Sequence, residues 1–81
     1  MKANKIVEVL MEENKVSKAQ LGRSVGLEDK KASDLISKRL KQENISVNVL
    51  SEMLSAMGYT IVVAPKGQKL REGEYEVTIN E

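Results

Sequence analysis

Apolar side chains recur every three or four positions through the first two thirds of the chain, a spacing that places them on one face of a helix. The first predicted helix covers about residues 3–13, with Ile6, Val9 and Leu10 facing the core. Asn14 is its expected stop, because asparagine tolerates the left-handed conformation that ends many helices. The pattern therefore predicts a helical domain that begins near residue 3.

The second predicted helix has the clearest start signal. Ser17 precedes it and Gln20 follows three residues later, the pattern of a capping box, in which two side chains satisfy two free backbone N–H groups. Val16 can pack against Leu21 across this cap. Gly26 is the expected C-terminal stop, so this helix is short.

A third helix has its predicted core-facing side chains at Ala32, Leu35, Ile36 and Leu40. Its start is open, since Asp29 could cap it or Ser33 could cap a shorter version. The opposite face is polar and is expected to face solvent. It carries Lys30, Ser33, Asp34, Ser37, Lys38 and Lys41.

A fourth helix is predicted between the cap residue Ser46 and Gly58, a left-handed stop. Its expected buried stripe is Val47, Leu50, Met53, Leu54 and Met57.

After Gly58 the period of the pattern changes to two. Residues 59–64 are rich in β-branched side chains, and residues 74–79 alternate apolar and polar positions. These stretches predict two C-terminal β-strands. The expected organisation is a helical domain over residues 1–58, followed by a β-hairpin or dimerisation strands over residues 59–81.

The stretch from Ser17 to Leu40 has the physical features of a helix-turn-helix. Gly22 lies on the inner face of the second helix, where a residue without a side chain lets the next helix cross closely. Gly26 supplies the positive φ that a tight turn requires, and Leu27 anchors the turn in the core.

These residues resemble a known family. Residues 16–27 look like the helix-turn-helix core of the Cro and phage-repressor type, also called Xre-like, and residues 36–41 look like its recognition helix. Residues 45–50 and 53–59 resemble the start and the end of the family's next helix. The resemblance covers residues 5–63, and it implies a four-helix, lambda-repressor-like domain. With the two predicted strands, the expected fold class is mainly α with a small β element.

The chain departs from the family between the turn and the recognition helix. Residues 27–35 make this interval about one helical turn longer than the family pattern. Either the turn is enlarged around Glu28 and Asp29, or the recognition helix is extended at its start.

The resemblance implies sequence-specific binding of double-stranded DNA by a small transcriptional regulator, a repressor of the phage or mobile-element type. The residues implied to read bases in the major groove are Lys30, Ser33, Asp34, Ser37 and Lys38. The residues implied to contact phosphates are Ser17, Lys18, Lys31, Lys41, Gln42 and Asn44. Arg39 could also contact a phosphate, or it could pair with Glu43.

Composition excludes several chemistries and leaves DNA binding open. The 81 residues include no cysteine and no histidine, which excludes disulfides, zinc fingers and Ser-His or Cys-His catalysis. We therefore expect no enzyme activity, metal, cofactor or small-molecule substrate. The formal net charge is +1, but residues 18–41 alone carry +4, an asymmetry compatible with contact to nucleic acid.

The expected partners are duplex DNA and a second copy of the chain. Residues 59–64 form an apolar edge that a small monomer is not expected to leave bare, which favours a homodimer. One alternative function is the antitoxin half of a toxin–antitoxin pair, in which the C-terminal strands hold a toxin. Another is a protein-interaction module that binds no DNA. No signal core or membrane-spanning run is apparent, so a cytoplasmic location without a membrane partner is expected.

Overall fold

The domain consists of four helices in the computed structural model, which describes residues 1–28 and 30–78. They are α1 (Ala3–Asn14), α2 (Lys18–Ser24), α3 (Ala32–Lys41) and α4 (Val47–Ala56). No β-strand forms within these described residues, so the fold is all-helical. The four helices match the predicted order, and the β element of the predicted fold class is wrong.

A single apolar core joins the four helices. Its largest fully buried side chains include at least one residue from every helix, and each contributes roughly 1.5–3 kcal/mol by leaving water. They are Val7, Leu10, Leu21, Ile36 and Met53.

Four side chains of the predicted core are not fully buried, and one of them, Met57, is half-buried. Val9 is only half-buried, whereas its neighbour Val7 is completely buried. Leu35 is half-buried, and Val47 is 69% exposed. The helical spacing predicts Val47 on the apolar stripe of α4. Burial also requires an opposing element, and in the described structure none covers this first residue of the helix.

Three of the helices end in the same way, with a left-handed residue followed by an apolar one. The left-handed residues are Lys15 (φ 54°), Gly26 (φ 87°) and Gly58 (φ 89°). After α1, the N–H of Lys15 donates to Glu12 and the N–H of Val16 to Met11, the bond pair of a Schellman motif. The following apolar residues Val16, Leu27 and Tyr59 all pack against the core.

Asn14 is therefore not the left-handed stop, and this prediction is wrong. It stays inside α1, where its side-chain Nδ2 donates to the carbonyl of Leu10 at 2.8 Å. The stop lies one residue later, at Lys15.

The predicted N-caps of α2 and α4 are confirmed. The Ser17 hydroxyl accepts from the N–H of Gln20 at 3.1 Å, and the Gln20 side chain accepts from the N–H of Ser17 at 2.8 Å. The Ser46 hydroxyl accepts from the N–H of Val49 at 3.2 Å. Caps of this kind stabilise a helix by about 1 kcal/mol each.

The N-cap residue of α3 makes no side-chain capping hydrogen bond within the described residues. The helix begins at Ala32 after the N-cap residue Lys31, so Ser33 lies inside it and does not cap a shorter version. The alternative cap, Asp29, lies outside the described residues.

The two predicted C-terminal strands do not form, because each stretch lacks the partner that a ladder requires. The second stretch contacts the N-terminus instead of the first: the N–H of Thr78 donates to the Met1 carbonyl at 2.9 Å, and the Met1 amino group donates to the Glu76 carbonyl at 3.1 Å. Residues 59–64 make no ladder within the described chain. The last residue of the second predicted strand, Ile79, is not among the described residues.

The C-terminal segment (residues 59–78) is held against α1 by two tyrosines. The Tyr59 hydroxyl accepts from Asn14 Nδ2 at 3.0 Å. The Tyr75 hydroxyl donates to the carboxylate of Glu13. These contacts attach both halves of the segment to the C-terminal end of the first helix.

The hydrogen bond to Glu13 gives the Tyr75 phenol a raised pKa. It is the largest cause, followed by partial burial and by repulsion from the Glu13 carboxylate and from Tyr59, and together they raise the pKa above the ordinary 10.0. Because the folded state holds this proton more tightly than the unfolded chain, the bond stabilises the docked segment fully below pH 10.0. That stabilisation is lost as the pH rises through the raised pKa.

We expect Glu13→Gln to lower the pKa of Tyr75 towards its ordinary value. The measurement is an ultraviolet titration of phenolate absorbance in a Tyr59→Phe background, which leaves Tyr75 as the only tyrosine. Glu12→Gln, one residue away and exposed, is the matched control and should leave the pKa unchanged. Equal titration curves for the two variants would contradict the assigned hydrogen bond.

Candidate nucleic-acid interface

The corner between α2 and α3 is built on a contact too close for any side chain at Gly22. A Cβ placed on Gly22 would lie 2.6 Å from the Cβ of Ala32 and 2.9 Å from its Cα and carbonyl oxygen. Both residues are buried, and α2 packs more extensively on α3 than any other helix pair does. The predicted close crossing at Gly22 is confirmed.

The turn between these helices is described at residues 25–28 and 30–31. Gly26 adopts the predicted positive φ, and the N–H of Leu27 donates to the Gly22 carbonyl at 2.9 Å. A second bond, from the N–H of Lys31 to the Glu28 carbonyl at 3.0 Å, closes the turn before α3 begins. α3 therefore begins at Ala32, after the N-cap residue Lys31.

This turn changes the place of two candidate side chains. Lys30 lies in the turn and Lys31 is the N-cap residue, so neither stands on the helix itself. Both are exposed and directly precede the first turn of α3.

The remaining α3 candidates share one side of the helix, which we call the outward face of α3. Four of its members are exposed, and the fifth, Ser37, is half-buried. The core-facing side of the same helix contains Ala32 and Ile36, both fully buried. The outward face consists of Ser33, Asp34, Ser37, Lys38 and Lys41.

Charges on this face are not neutralised by neighbours. In the described part of the chain, neither Asp34 nor the lysines Lys30, Lys38 and Lys41 takes part in an ion pair. The basic side chains of the last turn of α3 lie at the helix end where the backbone dipole is negative, which favours their position there.

The other phosphate candidates occupy two further places. Ser17 and Lys18 begin α2, and both are exposed. Gln42 and Asn44 are exposed in the connection that follows α3. The predicted DNA-contacting residues therefore lie in three places: at the start of α2, on the turn and the outward face of α3, and in the connection after α3.

One positioning contact was not apparent from the sequence. The side-chain Nδ2 of Asn4 donates to the Leu40 carbonyl at 2.9 Å and so ties the last turn of α3 to α1. Only the tertiary fold brings these residues together, so no local pattern could have indicated the contact.

Arg39 has an unsatisfied donor. Its side chain is half-buried, and its Nη1 atom is buried without a hydrogen-bond partner in the described structure. The predicted alternative of an ion pair with Glu43 is not formed.

Comparison with known proteins found no match among protein-family models, curated proteins or solved structures. None of the helices described is both long and apolar enough to cross a membrane. Over the same residues, no three side chains of the metal-ligating types come together.

Gly22→Ala should lower the free energy of unfolding by about 1–3 kcal/mol, because the new methyl group meets backbone atoms of Ala32 that cannot rotate away. Replacing glycine by alanine inside a helix ordinarily stabilises it, so the sign of the effect is diagnostic. Chemical denaturation measures the change. The control is Ser24→Ala at the exposed end of α2, and a Gly22→Ala variant as stable as this control would contradict the close contact.

Arg39→Met should raise the free energy of unfolding by about 1 kcal/mol, since it keeps an apolar stem and removes a buried donor that lacks a partner. Lys2→Met, at an exposed position, is the control for removing a positive charge. The same denaturation experiment tests both variants. A loss of stability specific to the Arg39 variant would show that the guanidinium stabilises the domain.

Proposed function

We propose that this domain binds double-stranded DNA by inserting α3 into the major groove. The observation that carries the proposal is the outward face of α3, where Lys38 and Lys41 are exposed and unpaired on a helix that the Gly22 contact holds firmly against α2. A helix with its side chains is about 10–12 Å wide, close to the roughly 12 Å width of the groove.

In this proposal, residues in the middle of the outward face of α3 contact the bases. Lys38 can donate to the O6 and N7 atoms of guanine, and Asp34 can accept from the N4 amino group of cytosine. The hydroxyls of Ser33 and Ser37 can serve either partner. Lys30 reaches bases from the turn, beside the first turn of the helix.

Phosphate contacts flank the reading face. Lys31 precedes α3, while Lys41, Gln42 and Asn44 follow its reading positions. Ser17 and Lys18 meet the DNA backbone from the start of α2. Contacts of this kind fix the register of the protein and supply affinity without reading sequence.

The regulatory role follows from the family resemblance. A small protein of the Cro and phage-repressor type acts by occupying an operator, and we propose the same role of transcriptional regulator here. The chain's residues 16–27 and 36–41 carry that resemblance.

A second candidate function is protein binding, either as an antitoxin or as an interaction module without DNA binding. It is favoured by the exposed apolar side chains of the C-terminal segment, among them Val62 and Val63. A stable protein that co-purifies with the chain, together with no binding to any duplex, would select this function.

Lys38→Ala should weaken binding to the selected duplex by about 1–3 kcal/mol, because it removes a base contact. Fluorescence anisotropy with duplexes selected from a random pool measures the affinity. Lys66→Ala removes the same charge from an exposed turn away from α3 and is the matched control. Equal affinities for the two variants would exclude Lys38 from the groove.

Affinity should also fall steeply with salt concentration. Each phosphate that the protein neutralises contributes about −0.9 to the slope of log affinity against log salt. Lys41→Ala should therefore make the slope shallower by about one phosphate while preserving the order of preference among duplexes. A slope near zero for the wild type would contradict binding to the DNA backbone.

A further inference from the structure

An apolar cleft of about 990 Å³ lies between the C-terminal segment and the helices. Its floor consists of buried aliphatic side chains from the first and the last helix, which are Ile6, Leu10, Leu50 and Leu54. Pockets that bind small molecules usually have volumes of roughly 300–1,000 Å³ and mainly apolar walls. The cleft therefore has the size and the floor of a small-molecule site.

The C-terminal segment forms the opposite wall of the cleft without packing closely onto the floor. Its apolar side chains that line the cleft remain partly in water, with Ile61 40%, Leu70 48% and Val77 53% exposed. Apolar side chains gain free energy when they leave water, and these three have gained only part of it. A molecule with an apolar body would cover both walls at once.

Residues 60–74 cross the cleft as a loop that is attached at its two ends. Tyr59, just before the loop, is hydrogen-bonded to Asn14 of α1. Tyr75, just after it, is hydrogen-bonded to the neighbouring Glu13. Within the described residues, the loop itself makes no hydrogen bond to a helix. Loops whose ends meet in this way are Ω-loops, which frequently carry function, and a ligand can enter beneath this one without breaking a bond to the helices.

The loop brings unpaired positive charge to the cleft. Lys66, Lys69 and Arg71 line it, and none of them takes part in an ion pair within the described residues. The lining also contains two acidic side chains, Glu74 and Glu76, which follow the basic residues along the chain. The carboxylate of Glu74 already accepts from the N–H of Arg71 at 2.7 Å. The basic end of the cleft is therefore suited to an anionic group, since hydrogen bonds between charged partners are the strong ones.

We propose that this cleft binds a small amphipathic anion, a molecule with an apolar body and a carboxylate head such as an alkyl carboxylate. The apolar body lies between the helix floor and the loop. The carboxylate is bound by Lys66, Lys69 and Arg71. The unpaired cations favour an anion over a neutral or cationic molecule, and the apolar walls favour an alkyl chain over a small polar anion.

This site is separate from the proposed DNA interface. None of the residues that line the cleft belongs to the outward face of α3 or to the proposed phosphate contacts. Ligand binding is measured without DNA, so the ligand site and the proposed function can fail separately.

Isothermal titration calorimetry of the whole chain with dodecanoate, below the concentration at which it forms micelles, tests the site. We expect saturable binding of one dodecanoate per chain. Dodecyltrimethylammonium, which has the same alkyl chain and a positive head, should bind about tenfold more weakly. Decanoate, which is two CH₂ groups shorter, should bind roughly 15-fold more weakly than dodecanoate, because burial of each CH₂ changes the affinity about fourfold.

Lys69→Glu should change the preference of the site for the charge of the head group. We expect it to weaken dodecanoate binding about tenfold and to strengthen binding of the ammonium analogue. Lys2→Glu makes the same charge change at an exposed position outside the lining and is the matched control, which should alter neither affinity. Because binding of the ammonium analogue improves, loss of folding cannot explain the result.

Three results would overturn the proposal. One is a folded wild type that shows no saturable binding of dodecanoate. Another is equal affinity for dodecanoate and its ammonium analogue. The third is dodecanoate binding that Lys69→Glu and Lys2→Glu weaken to the same extent. Duplex binding that depends on Lys38 would leave the proposed function standing in each of these cases.

Discussion

The contact between Gly22 and Ala32 is the constraint on which the rest of the domain depends. A side chain on the glycine would meet the backbone of α3 at less than 3 Å, so the two helices approach as closely as their main chains allow. This contact sets the position of α3, and with it which of its side chains point to the core and which to solvent. Ile36 and Leu40 complete the core on one side, and Lys38 and Lys41 are left in water on the other.

The helix caps and turns that depend on neighbouring residues could be predicted from the sequence. The capping box at Ser17, the cap at Ser46 and the positive φ at Gly26 each depend on residues close along the chain. The close crossing at Gly22 was also predictable, because an inward-facing glycine four residues before a turn glycine indicates it. These features gave the four helices and the corner of the candidate interface.

What the sequence could not indicate depends on distant partners. Residues 59–64 have strand propensity, but a ladder also needs a second strand. The other predicted strand is hydrogen-bonded to Met1 instead. Asn4 contacts Leu40 only because the packed fold brings α1 beside the end of α3. Arg39 Nη1 is unsatisfied because the same packing buries it where the described residues offer no hydrogen-bond partner. The start of α3 was open for a different reason: Asp29 and Ser33 both have the chemistry of a cap, whereas the N-cap residue is Lys31, which makes no side-chain capping bond within the described residues.

The closeness of Gly22 and Ala32 along the chain also has a consequence for how the domain assembles. Closing a short loop costs little conformational entropy, and chains dominated by such local contacts fold fast. The helix pair joined by the turn can therefore form early, before the more distant contacts of α1 with α4 and of Met1 with Thr78. The part of the molecule that we propose binds DNA is thus also a part held together by contacts between residues close along the chain.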